Sequence, residues 1–273
     1  MLTESEFRLF KELIYEECGI NFVEEKRAFL ESRLRKRMES QGIKTAYEYY
    51  YVIKHSPQKG QELPALLDAL MICETSFFRN LPQFELLRDE VLPELISRKR
   101  KMGSRTIRIW SAGCSTGQEP YSAVMLLLNA MPDANLWSIR VFASDLSFTA
   151  LERAQSGLYR PEQLKGVDRG SIDRFVTQDN GHYVLSDAVK RHVIFDYHNL
   201  KHDNGLRGLD IVFCRNVLIY FDAEEQRRLI TRFTNSLVPG GFLFLGHAES
   251  LQSITGRFAM LHKNKGIAYR LES

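Results

Sequence analysis

Ten residues, Ser111-Ala112-Gly113-Cys114-Ser115-Thr116-Gly117-Gln118-Glu119-Pro120, join the apolar run TIRIWS (106–111) to the helix-forming stretch PYSAVMLLLNA (120–130). Two glycines in so tight a turn let the backbone approach a ligand and adopt positive φ. No Gly-Lys-Ser/Thr follows, so the turn is not a nucleoside-triphosphate loop. Gly113 and Gly117 stand four positions apart, which is not the dinucleotide fingerprint either. Glu119 places negative charge where a pyrophosphate would sit, and that charge suits a ligand with an ammonium group. Asp145 ends the next apolar run, SIRVFAS (138–144). There it either accepts both ribose hydroxyls or caps the helix that begins near Ser147. A nucleoside with an amine and no phosphate points to S-adenosylmethionine. A nicotinamide dinucleotide is disfavoured, because residues 112–120 contain no basic side chain.

Two further segments follow buried-strand patterns. Asn199-Leu200 comes after HVIFDYH, and Arg215-Asn216 after LDIVFC. Asn216 either hydrogen-bonds a ligand or caps the next segment. Leu200 either packs on an adenine face or belongs to the core. In Glu74-Thr75-Ser76-Phe77-Phe78-Arg79, Arg79 either makes an exposed ion pair or reaches over the crevice to offer its fork to a carboxylate. Thr75 adds one hydrogen bond in the second case. The pair His247 and Glu249 falls short of a metal site, and no metal is assigned. The four cysteines are scattered, with no CxxC pair, which fits a reduced, cytoplasmic protein with thiols as small apolar filler. Cys73 and Cys114 sit within the ligand motifs.

These residues need elements to hold them. Residues 1–100 read as helices, opening with Thr3 and Glu6 at the spacing of a capping box. Helical patterns cover 24–40, 46–54, 63–71 and 84–98, the last with Pro93 as a kink. After Gly103 strands alternate with helices, which implies a mostly parallel sheet covered on both faces. Residues 166–190 interrupt the alternation as a small inserted hairpin, and the final stretch reads as an antiparallel edge hairpin. The division is placed near residue 100, with Arg98-Lys99-Arg100-Lys101 as an exposed linker, giving units 1–100 and 101–273.

Composition agrees with a soluble globular chain. Its 273 residues are 44% apolar and 26% charged, and 37 basic against 34 acidic residues leave a formal charge of +3. So small an excess excludes recognition by net charge, and no apolar run is long enough for a signal peptide or a membrane span. Charge is instead local: 26–37 holds Lys26, Arg27, Arg33, Arg35, Lys36 and Arg37 against Glu31. On a helix Arg33, Lys36 and Arg37 share one side. They form either a solvated face or a surface that steers an acidic helical partner; no nucleic-acid-binding fold stands behind them.

In combination, Thr75-x-Phe77-Phe78-Arg79, Gly117-Gln118-Glu119-Pro120-Tyr121-Ser122, Ser144-Asp145, Ser156-Gly157-x-Tyr159-Arg160, the run Phe213 to Phe221 and Gly246-His247-x-Glu249-Ser250 resemble the bacterial chemotaxis receptor methyltransferases. The resemblance spans almost the whole chain. It implies an α/β fold: a Rossmann-like methyltransferase sheet with an all-α N-terminal domain and a small inserted β-subdomain. It implies methyl transfer from S-adenosylmethionine to glutamate side chains in the cytoplasmic helical bundle of chemoreceptors, leaving S-adenosylhomocysteine. Thr75, Arg79, Gly113, Glu119, Asp145, Asn199, Leu200, Arg215 and Asn216 are then expected to contact or border the cofactor. Arg79 is expected to align the incoming glutamate, and Arg33, Lys36 and Arg37 to dock the receptor. The sequence departs from the family at Cys73, often asparagine, and at Gln118, often glutamate. Residues 174–183 are shorter and poorer in glycine than the loop of members that dock on a receptor's C-terminal pentapeptide. Independence of that tether is therefore expected. The rival readings are a cofactor-binding sensor or scaffold without turnover, and a methyltransferase with another substrate. A monomer is expected.

Overall fold

The computed structural model describes residues 2–179, 181–252 and 254–272. Asn180, within the 174–183 stretch, therefore lies outside the described residues. Four helices come first: α1 (Glu4–Cys18), α2 (Arg27–Gln41), α3 (Ala46–His55) and α4 (Lys59–Leu70). Thr3 and Glu6 close the capping box at the start of α1, and Gly19 ends that helix in the left-handed region at φ 78°. Phe10, Leu13, Ile14, Leu30, Leu34, Tyr49, Ile53 and Leu66 form a core of their own. Deep in it, Glu62 accepts from Arg37 Nε and Nη2 (3.0 and 2.6 Å) and from the Tyr49 hydroxyl at 2.5 Å.

The next helical stretch belongs to the sheet, and this corrects the boundary expected near residue 100. It comprises α5 (Leu81–Leu86), a π-helical turn (Leu87–Val91) and α6 (Leu92–Lys101). Phe84, Leu87, Val91 and Leu95 pack into the core of the sheet, while the helical core stops at Leu70. Gln83 Nε2 donates to Leu245 O (2.7 Å) and Ile267 O (2.9 Å), so α5 is tied into the sheet itself. The expected linker, Arg98 to Lys101, is the last turn of α6. Arg98 donates to Gly240 O, and Lys99 meets the fully buried Asp210 at 2.7 Å. The period of the sequence could not show that a charged run was serving buried partners. Pro93 is absorbed by the wider turn before it, where Leu92 N–H bonds to Leu87 O, five residues back.

The remaining elements are β1 (Thr106–Ala112), α7 (Gln118–Ala130), β2 (Ser138–Asp145), α8 (Phe148–Ser156), β3 (Leu158–Tyr159), α9 (Arg169–Phe175), β4 (Val176–Asp179), β5 (His182–Leu185), α10 (Asp187–Lys190), β6 (Val193–Tyr197), β7 (Leu209–Cys214), α11 (Ala223–Ser236), β8 (Leu237–Leu245), β9 (Phe258–Lys263) and β10 (Gly266–Leu271). The main sheet runs β6-β2-β1-β7-β8-β10-β9. β6, β2, β1, β7 and β8 are mutually parallel. β10 is antiparallel to both β8 and β9. The closing hairpin is therefore present, but its second strand is inserted inside the sheet and only β9 lies at the edge. Asn264 and Lys265 both take positive φ in its two-residue turn, the twist such a hairpin demands. The insert is a separate three-stranded sheet, β3-β5-β4, so it begins at Leu158, earlier than expected.

Chain order leaves β1 upward to β2 and returns on its other side at β7. That reversal opens a crevice at the carboxyl ends of β1 and β7, where open α/β sheets bind ligands. Replacing Lys99 with alanine would leave the fully buried Asp210 carboxylate without its cation, held only by the Arg108 N–H on Oδ2. Urea unfolding of Lys99→Ala should show a loss of about 3 kcal/mol, against a small loss for Arg100→Ala, whose pair with Asp133 is at the surface.

Candidate functional site

The turn after β1 is built for close approach. Gly113 and Cys114 both donate to Ser144 O, fastening the turn to β2 (2.8 and 3.0 Å). Gly113 (φ 81°) faces Val217, and a Cβ there would come within 2.6 Å of its Cγ2. Gly117 (φ 89°) packs on Ala154, whose Cβ would lie 2.8 Å from any added one. The Tyr159 hydroxyl, from the insert, donates to Thr116 O at 2.7 Å. Gln118 accepts from Thr116 Oγ1 at 2.8 Å, so its amide braces the loop.

Around this turn lies a cavity of about 590 Å³. Thr75, Arg79, Gly113, Glu119, Asp145, Asn199, Leu200, Arg215 and Asn216 all line it, as do Cys73 and Cys114. Glu119 accepts from Ser111 Oγ (2.7 Å) and from Arg215 (3.2 Å). Asp145 accepts the amides of Ser115 (2.7 Å) and Ser147 (2.9 Å), one on each carboxylate oxygen. Burial pushes both carboxyls above the usual range, against Arg215 and Ser111 at Glu119 and against those two amides at Asp145.

Three of the expected residues carry structural duties as well. Arg215 spans the site: it donates to Glu119 and to Arg79 O, and its guanidinium lies 5.5 Å from the Phe84 ring centre. Arg79 itself curls back to Glu74 O at 2.8 Å. Asn199 donates to Glu17 O (2.7 Å) and accepts from Lys201 N–H (3.0 Å), which leaves one Nδ2–H and one Oδ1 lone pair. Arg37, expected on the docking face, is half-buried and gives Nε and Nη2 to Glu62, which leaves only Nη1 outside that pair. Lys36 remains exposed. Arg33 lies over the Phe29 ring at 4.9 Å, and Phe29 lines the cavity.

The sequence did not reveal that the helical domain forms a wall of this site. Cys18, Phe22, Val23, Lys26, Phe29 and Leu70 all line it. Nor did it reveal the ties. Asp68 of α4 accepts from Ser147 Oγ (2.5 Å), Thr149 N (3.1 Å) and Thr149 Oγ1 (2.7 Å), capping the amino end of α8 beside Asp145. Lys201 donates to Tyr15 O and Glu16 O at the carboxyl end of α1. Ile20 bridges Phe221, and Asn21 N–H bonds to Tyr220 O. An aspartate late in one helix and a lysine in a loop carry no local signal of a partner so distant in the chain.

The donor set suits a nucleoside bearing an ammonium. Each of its two acids has open acceptor capacity, and the Ser115 Oγ is buried without a partner. The turn holds no cation for a pyrophosphate. Among the described residues no three side chains are grouped to hold a metal ion.

Residues 73–267 match the family model described as CheR methyltransferase, SAM binding domain, and residues 5–71 match CheR methyltransferase, all-alpha domain. Chemotaxis protein methyltransferase 2 of Vibrio cholerae is 34% identical, covering 98% of this chain and 93% of its own. Chemotaxis protein methyltransferase 1 of Pseudomonas aeruginosa is 37% identical over 97% of each. The chemotaxis protein methyltransferase of Escherichia coli is 35% identical over 95% of this chain and 89% of its own.

An acid held above its ordinary value keeps its proton longer in the folded chain than in the unfolded one. Its contribution to stability is therefore fullest in acid and falls as pH rises through the raised value. A ligand ammonium beside Glu119 would favour the ionised carboxylate and so oppose that upward shift. Affinity for S-adenosylhomocysteine, read by calorimetry in buffers of different ionisation heat, should fall as pH is lowered, with proton release on binding. Glu119→Gln should remove that release and weaken binding by at least about ten-fold, or 1.4 kcal/mol.

Proposed function

The chain belongs to the CheR methyltransferase family, whose cofactor is S-adenosylmethionine, and on that premise we propose that it methylates glutamate side chains of chemoreceptors in the cytoplasm. The observation that carries this reading is the meeting of Glu119, Asp145 and Arg79 on one cavity walled by both domains. Glu119 would hold the amino group, Asp145 the ribose, and Leu200 an adenine face. When bound, the cofactor supplies an electrophilic methyl on a sulfonium, and its transfer to a carboxylate oxygen leaves a methyl ester and S-adenosylhomocysteine.

The chain's own work is alignment. A glutamate with a reference pKa of about 4.3 is already ionised at neutral pH, so no general base is required. Arg79, on the cavity wall with Nη1 given to Glu74 O, would orient that carboxylate through its remaining N–H groups. The helical wall limits water at the reacting centre. Arg33, stacked over the cavity-lining Phe29, and the exposed Lys36 would suit the acidic face of a receptor helix. The short strands β4 and β5 support methylation without a receptor's C-terminal tether.

Labelled methyl from S-adenosylmethionine should enter purified receptor cytoplasmic fragments and be released by mild base. Label that resists base overturns the ester reading. Arg79→Ala should lower turnover at least ten-fold with an unshifted melting temperature. Arg33→Glu with Lys36→Glu should raise KM for receptor several-fold at low salt, and less at high salt. Removing the receptor's C-terminal tail should leave the rate unchanged.

A further inference from the structure

Glu249 lies in the turn after β8 and is not part of the cavity wall, yet its carboxylate is fully engaged. Oε2 accepts the Asn216 N–H at 3.0 Å and the Gly246 N–H at 2.5 Å, and Oε1 accepts the Ile219 N–H at 3.3 Å. These amides belong to two different turns, one after β7 and one after β8. The first turns on a left-handed residue, Asn216 at φ 59°, a conformation asparagine tolerates better than most. It is also the turn that faces the ligand: Arg215, Asn216, Val217, Ile219, Tyr220 and Phe221 all line the cavity. Its Val217 lies where Gly113 leaves room.

Gly246 completes the arrangement. A Cβ at this position would stand 2.7 Å from Glu249 Oε2 and 2.9 Å from Asn216 N, crowding both acceptor and donor from the side. Only a residue without a side chain leaves that bond undisturbed. A carboxylate suits three converging N–H groups, having only acceptors to offer. A glutamine would turn an NH2 group toward at least one of them.

We propose that Glu249 is a positioning residue for the cofactor, acting through Asn216: it fixes the left-handed turn that sets the wall opposite Glu119 and Asp145. This rests on the cofactor assignment and not on the identity of the methyl acceptor. Its test therefore needs no receptor, and its failure leaves receptor methylation standing.

The test combines S-adenosylhomocysteine calorimetry with amide hydrogen exchange on the full chain. Glu249→Gln should weaken binding about ten-fold and speed exchange at Asn216 and Ile219, with exchange in β1 and β7 unchanged. Gly246→Ala, which keeps the carboxylate but wedges it away from Asn216, should do the same. It decides the matter should Glu249→Gln fail to fold. Affinity within two-fold of the parent in a folded variant whose Asn216 amide exchanges faster would overturn the proposal, because the carboxylate would then only tie two loops. Unchanged exchange at Asn216 would overturn it as well.

Discussion

The site depends on helix ends that are satisfied across the domain boundary. A helix leaves amides unpaired at its start and carbonyls unpaired at its finish, with partial charges of opposite sign. Asp68 from the helical domain answers the start of α8, and Lys201 with Asn199 from the sheet domain answers the finish of α1. The exchange is reciprocal, each domain supplying the charge that the other lacks. Between the two clips the helical domain is laid over the carboxyl ends of the strands. Removing either clip would leave helix ends bare beside a cavity that needs both walls.

Inside that cavity the electrostatics are held in tension. Glu119 and Arg215 form a pair from which water is largely excluded, and burial opposes the charge on each. Such a pair is poor at stabilising a fold. On the proposed reading an arriving ammonium would offer Glu119 a second counter-charge, while Arg215 keeps its bond to Arg79 O and its place over Phe84.

Much of this was legible in the chain. The glycine turn, the strand-end acid and the Phe-Phe-Arg run drew attention through residue types that only a particular backbone or ligand explains, and the cavity gathers all nine expected ligand residues. Strand and helix periods placed most elements within a few residues. What escaped was long-range. The charged run Arg98 to Lys101 looked solvated because its partners, the buried Asp210 and the carbonyl of Gly240, lie far along the chain. Arg37 looked available because nothing in its own helix shows Glu62 waiting on α4. In each case the pattern gave the face of an element but not the occupant of the space beside it.

The placement of β10 between β8 and β9 also governs how the chain must assemble. During synthesis, β7 and β8 emerge before the strand that will cover β8, so that strand meets the cell with one row of amides and carbonyls open. β9 cannot shield it, since it reaches the sheet only through β10. The nascent chain therefore holds an adhesive border until its closing hairpin folds in as a unit, a step its two-residue turn can make quickly because it is local. Ribosome stalling or truncation ahead of Gly266 would leave that border exposed, and aggregation, not slow folding, is the hazard the arrangement carries.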